Sequence, residues 1–218
     1  MTYLTGEMTK SALERMRRFY WSLEDLYKSN GITLLDDSCR RNNLMSAVQE
    51  RFFADEMGKE LEGVRNDGRT GEPDIIIDSL GKELECKLTS PRADKSIVLQ
   101  TDYTTLEKKG TLDYLYVIAK PDFDSFCVLL FEGLTISDFH APYSGSRGKA
   151  QMNKALAMEK CHVLWGGATD VSNETMDRMT DRLESLSDRA VKTRAGLHER
   201  IEAWKNRSTM WRYELQVL

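Results

Sequence analysis

The sequence predicts a mixed α/β (α+β) fold, with helices flanking a small central sheet. Three observations point there. Helical apolar spacing fills the first 61 residues, short β-branched and alternating runs occupy the middle, and a charged helical pattern closes the chain. At 218 residues, with 40% apolar and 30% charged side chains, the chain has enough apolar material for a real core. Three segments are expected within one compact domain: an N-terminal helical segment (1–40), a core (41–135), and a C-terminal elaboration (136–218).

Residues 7–29 read as an amphipathic helix through Met8, Leu13, Met16, Phe19, Tyr20, Leu23 and Leu26, stopped by Asn30-Gly31. A polar break at Asp36-Asp37-Ser38 precedes a second helix from about Asn42 to Leu61. Residues 63–71 are polar and glycine-rich, the composition of a loop or a short irregular strand. Asp74 to Asp78 reads as a strand, Ser79 to Lys82 as a turn, and Glu83 to Leu88 as a half-buried strand. A helix is expected from Ile97 to Lys109, ended by Gly110. Strands follow at Tyr114–Ala119, Phe126–Phe131 and His162–Trp165. From Ser172 to Lys205 a seam of Met176, Met179, Leu183, Leu186, Ala190, Leu197 and Trp204 recurs at helical spacing, suited to packing within the chain or to a homodimer.

Composition excludes several classes. No apolar run is long enough to cross a bilayer, and the first residues lack the pattern of a secretory signal. Cys39, Cys86, Cys127 and Cys161 are irregularly spaced without a CxxC pair, so neither a zinc site nor a disulfide framework is expected; reduced thiols in the cytoplasm are. His140, His162 and His198 are isolated. The net charge of −4 counts mildly against nucleic-acid binding, where a basic face is usual.

The residues from Glu72 to Lys87 carry the chemistry. Glu85 and Lys87, two apart on a strand, share a face, while Leu84, Cys86 and Leu88 share the other. A four-residue turn at 79–82 would pair Asp78 with Glu83, Ile76 with Glu85 and Asp74 with Lys87, bringing Asp74, Glu85 and Lys87 to one side. Two carboxylates offer hard oxygen ligands for magnesium, which keeps waters and takes a substrate phosphate oxygen. A lysine beside them can orient or help deprotonate an attacking water. The plainer alternative is an ion pair across a hairpin, worth about 0–1 kcal/mol.

Pro73-Asp74, ten residues, then Glu85-Cys86-Lys87 resembles the PD-(D/E)XK signature of restriction-type nucleases, over roughly residues 42–131. The resemblance implies a restriction-endonuclease-like core. It implies a DNA endonuclease using Mg2+, with Mn2+ able to substitute. The expected activity is that of a type II restriction enzyme cutting double-stranded DNA, favoured by the small size of the chain and by the lack of a helicase or methyltransferase motif in it rather than by the resemblance itself. A repair, nicking or junction-resolving nuclease, or a silent DNA- or protein-binding relative, is the alternative. It assigns Asp74 and Glu85 to the metal and Lys87 to the water. Glu50, on the helix before the sheet, joins the metal site, and the backbone carbonyl of Cys86 is an added ligand. Gln100 matches a polar position on the following helix. Arg69, Arg92, Ser146, Arg147, Lys149 and Lys154 are candidate DNA contacts, because arginine and lysine grip phosphates and flexible polar loops enter grooves. Gln49, Asp78 and Glu83 are read as structural or solvated.

Overall fold

The computed structural model describes residues 2–34, 37–66, 69, 72–92, 96–146 and 148–166. The seam from Met176 to Trp204, Arg147 and His198 lie outside the described residues.

Two long helices open the chain. Helix α1 (Gly6–Ser29) starts where the Thr5 hydroxyl accepts the Met8 N–H, and α2 (Ser38–Met57) where the Asp37 carboxylate accepts the Arg40 N–H. The second helix thus begins four residues before the expected Asn42, because Asp37 supplies the cap. The two helices are tied side by side by Arg15, whose guanidinium donates to Asp55 at 2.7 Å and to Glu56 at 2.9 Å. Phe19 meets Phe52 edge-on at 6.3 Å.

The strands are β1 (Val64–Asn66), β2 (Ile75–Ile77), β3 (Lys82–Thr89), β4 (Gln100–Asp102), β5 (Leu112–Ala119), β6 (Phe126–Leu134), β7 (Lys149–Gln151) and β8 (Cys161–Gly166). Helices α3 (Tyr103–Lys109) and α4 (Lys154–Ala157) are short. Six strands form one sheet in the order β1-β2-β3-β5-β6-β8. Its neighbours are antiparallel except β3 and β5, which run parallel, so the sheet is mixed. A parallel pair needs a crossover, and the segment holding β4 and α3 supplies it.

Every residue of β5 is buried, as expected for a strand covered on both faces. Leu115, Val117 and Ala119 join a core with α1 and α2 that includes Met16, Tyr20, Phe53, Met57, Ile75, Leu84 and Cys86. Tyr114, Tyr116 and Ile118 join a second core with Leu99, Leu106, Phe139 and Met152. The segment before residue 40 therefore shares its core with the sheet. Strands β4 and β7 pair as a separate small ribbon, held to β5 by two tyrosines. The Tyr114 and Thr101 hydroxyls lie 2.6 Å apart, and the Tyr116 hydroxyl donates to the Gln100 carbonyl at 2.9 Å.

Three local expectations are corrected. Residues 97–109 are not one helix: Gln100–Asp102 is a strand, and the Asp102 side chain caps the helix that starts at Tyr103. Lys149 belongs to strand β7 rather than to a loop. The hairpin register is shifted by two residues, with Ile77 opposite Lys82, Ile76 opposite Glu83 and Ile75 opposite Leu84. The turn is Asp78-Ser79-Leu80-Gly81, a single 3-10 turn closed by Gly81 at φ 59°, the left-handed conformation that glycine adopts without steric cost. Asp78 sits in that turn and meets Arg65 at 2.9 Å. A Cβ on Gly63, whose φ is 70°, would stand 2.7 Å from that of Asp78.

Candidate active site

Side chains on a strand alternate, so a shift of two residues leaves the faces unchanged. Glu85 and Lys87 still share a face, in register with Tyr114 and Tyr116 on β5, while Leu84 and Cys86 turn to the helix-side core. Asp74 lies just before β2 begins, beyond the last backbone pair of the hairpin. There its carboxylate takes over: Asp74 Oδ2 accepts the Cys86 N–H at 2.7 Å. The expected opposition of Asp74 and Lys87 is replaced by this side-chain bond, which anchors Asp74 to the residue between Glu85 and Lys87.

Lys87 forms an ion pair with Glu85. Burial works against the Lys87 charge, but Glu85 and then Asp74 outweigh it and hold its pKa above the ordinary lysine value. Asp74 is pushed up to about 6 by burial and then by the negative charge of Glu85, against the pull of Lys87 and the Cys86 N–H. Glu50, from the middle of α2, joins the group. Its pKa is raised to about 7, first by burial and then by Asp74, with Lys87 and a hydrogen bond from Asn66 opposing. Three carboxylates thus face one ammonium, and two of them are held away from their charged form.

Asn66 was not singled out in the sequence. It hydrogen-bonds Glu50 and donates its amide to the Asp74 carbonyl at 2.9 Å, bridging two members of the cluster. It falls in the polar stretch that reads as a loop or a short irregular strand, and its position on the short strand β1, beside Ile75, reveals it. Gln49 is fully buried and donates to the Leu115 carbonyl at 3.3 Å.

The remaining candidates are spread out. Gln100 is half-buried on β4, not on a helix. Arg69 and Arg92 are exposed, Ser146 is half-buried in a turn after Tyr143, and Lys149 is exposed and 3.6 Å from Asp102. The Lys154 ammonium donates to the Ile97 carbonyl, which gives it a structural tie. His140 and His162 are exposed, and His162 lies 3.5 Å from Glu132.

A second acid–lysine cluster lies at the opposite end of β3. Lys82 donates to Asp113 at 2.8 Å and to Glu132 at 2.7 Å, and the Tyr3 hydroxyl donates to Asp113 at 3.0 Å. The Gly133 N–H completes Asp113 at 2.7 Å. Here both acids receive the lysine ammonium directly.

Among the described residues, no three histidine, cysteine, aspartate or glutamate side chains are placed to hold a metal ion by themselves. Magnesium does not need such a cage: one or two carboxylates with waters and substrate phosphate suffice. The raised acids of Glu50 and Asp74 beside Glu85 suit a hard cation, since added positive charge offsets the cost of ionising buried carboxyls and the repulsion among them. Among the described residues no helix is long and apolar enough to cross a membrane. The sequence matches no known family model and no curated protein.

Proposed function

We propose that the protein is a magnesium-dependent DNA endonuclease, in activity a type II restriction enzyme that hydrolyses phosphodiester bonds in double-stranded DNA. The observation that carries this reading is the cluster of Glu50, Asp74, Glu85 and Lys87, with both Asp74 and Glu50 raised in pKa. Acidic groups on a mixed sheet beside a half-buried lysine suit metal-assisted phosphoryl chemistry better than a surface ion pair, which is exposed and electrically satisfied.

In this reading Asp74 and Glu85 would hold the cation, which would supply charge compensation at the phosphate and acidify a water. Glu50 and the Cys86 carbonyl complete the donor set. Lys87 orients the attacking water and faces the charge that builds on the phosphorus oxygens. The Cys86 N–H fixes Asp74, and Asn66 fixes Glu50. Cutting both strands of a symmetric site calls for two such centres, hence a homodimer, with the C-terminal segment a candidate interface. The setting that fits is the cytoplasm, and Mn2+ serves in place of Mg2+.

The test is incubation of the purified protein with plasmid and phage DNA, with magnesium or a chelator, beside Asp74→Asn and Lys87→Ala. Discrete magnesium-dependent fragments, lost in both variants, support the reading. Structure-selective or random cutting moves it to a repair or junction nuclease. Tight DNA binding without cleavage under any divalent metal leaves a silent relative.

A further inference from the structure

Apolar contacts press α2 onto the sheet through Met45, Phe53, Ala54 and Met57, but such contacts are non-directional and fix sliding along the helix axis poorly. A directional tie lies at mid-helix. The Gln49 amide donates to the carbonyl of Leu115 on β5, and Leu115 is the register partner of Cys86 on β3. One residue from Gln49 is Glu50, and on either side of Cys86 are Glu85 and Lys87. The side chain of Gln49 is fully buried, and its Oε1 has no hydrogen-bond partner among the described residues. A buried unsatisfied acceptor costs stability, so an apolar side chain of the same length would suit the core at least as well. Fold stability alone does not account for a glutamine there.

We propose that Gln49 is a positioning residue that fixes α2 against β5 and so sets Glu50 beside Asp74 and Lys87. It touches neither substrate nor metal; it acts through Glu50, as partners behind metal ligands do. The inference rests on the nuclease reading of the cluster.

The test compares wild type with Gln49→Met, which keeps the length and removes the donor, and Gln49→His, which restores an N–H toward the carbonyl. Three quantities are read: the melting temperature of the metal-free protein, Mn2+ binding followed by electron paramagnetic resonance, and kcat and KM on plasmid DNA across magnesium concentrations. Gln49→Met is expected to melt at or above the wild-type temperature. It is also expected to weaken Mn2+ binding and raise the magnesium requirement by about 10–100-fold at unchanged KM for DNA. Gln49→His is expected to recover part of that loss. Wild-type metal binding in Gln49→Met overturns the inference. So does a loss of activity that follows a fall in melting temperature, because that is the mark of a structural role. A wild-type protein that neither binds Mn2+ nor cleaves DNA overturns the nuclease reading, and this inference falls with it.

Discussion

Asp74 and Cys86 are joined by a bond that belongs to neither strand ladder: the Asp74 carboxylate receives the Cys86 N–H at 2.7 Å where the β2–β3 backbone pairing has ended. One carboxylate oxygen is thereby engaged in the fold. Structure and chemistry can be separated at this residue. Asp74→Asn keeps an oxygen acceptor for Cys86 and removes the charge, whereas Asp74→Ala loses both. Cleavage is expected to fall about 100-fold or more in either variant, with Asp74→Ala alone losing about 1–2 kcal/mol in urea unfolding. Equal stability of the two variants would show that the bond contributes nothing.

Glu50 and Asp74 predict how the metal-free protein responds to pH. Both have folded pKa values raised above their ordinary values, to about 7 and about 6. Between about pH 4 and 7 the native state therefore holds more protons than the unfolded chain, and stability falls as pH rises through that window. Glu50→Gln removes one source of the slope. Relative to wild type it is expected to gain about 1–2 kcal/mol at pH 8 and little at pH 4.5, a figure discounted for partial solvent exposure. Thermal melts in chelator at the two pH values check it.

Metal affinity should carry the same protons in reverse. A cation requires deprotonated acids, so magnesium binding releases protons, and its apparent affinity rises with pH until Glu50 and Asp74 are ionised. Titration calorimetry in buffers of different ionisation enthalpy reads the proton count. A count of zero at pH 6.5 contradicts the assignment of these two acids.

Lys82 supplies the contrast. Removing it leaves Asp113, which is 8% exposed at its side chain, and Glu132 without their ammonium. Lys82→Met is expected to cost about 2–3 kcal/mol, less than a fully buried pair because Lys82 is partly solvated, and to leave cleavage per folded molecule unchanged. Activity normalised to the folded fraction decides it.

Lys82 and Lys87 also mark what the sequence could and could not reveal. Both lie within a few residues of acids in sequence or across strands, and only the tertiary partners distinguish them. Period-two alternation placed Glu85 and Lys87 on one face, and the mixed α/β layering was legible from apolar spacing. The hairpin register was not, because a single 3-10 turn ended by Gly81 takes up Asp78, which reads as the end of the strand. Gln100 reads as helical because Leu99 and Leu106 have helical spacing. The cap at Asp102 and the tyrosine hydroxyls of β5 instead hold residues 100–102 extended. Asn66 contributes through hydrogen bonds to Glu50 on α2 and to the Asp74 carbonyl, and Gln49 through one to Leu115 on β5, and such contacts leave no periodic trace.

The parallel pairing of β3 with β5 has a kinetic consequence. Ile75 and Leu84 of the hairpin are nine residues apart, whereas Leu84 and Asp113 are separated by 29. Closing the longer loop costs more chain entropy, and contacts of large sequence separation slow folding. A folding chain can thus assemble Asp74, Glu85 and Lys87 on a local hairpin before β5 arrives, and α2 has no Leu115 to grip until it does. Maturation of the acidic centre is timed by the slow crossover rather than by the fast turn.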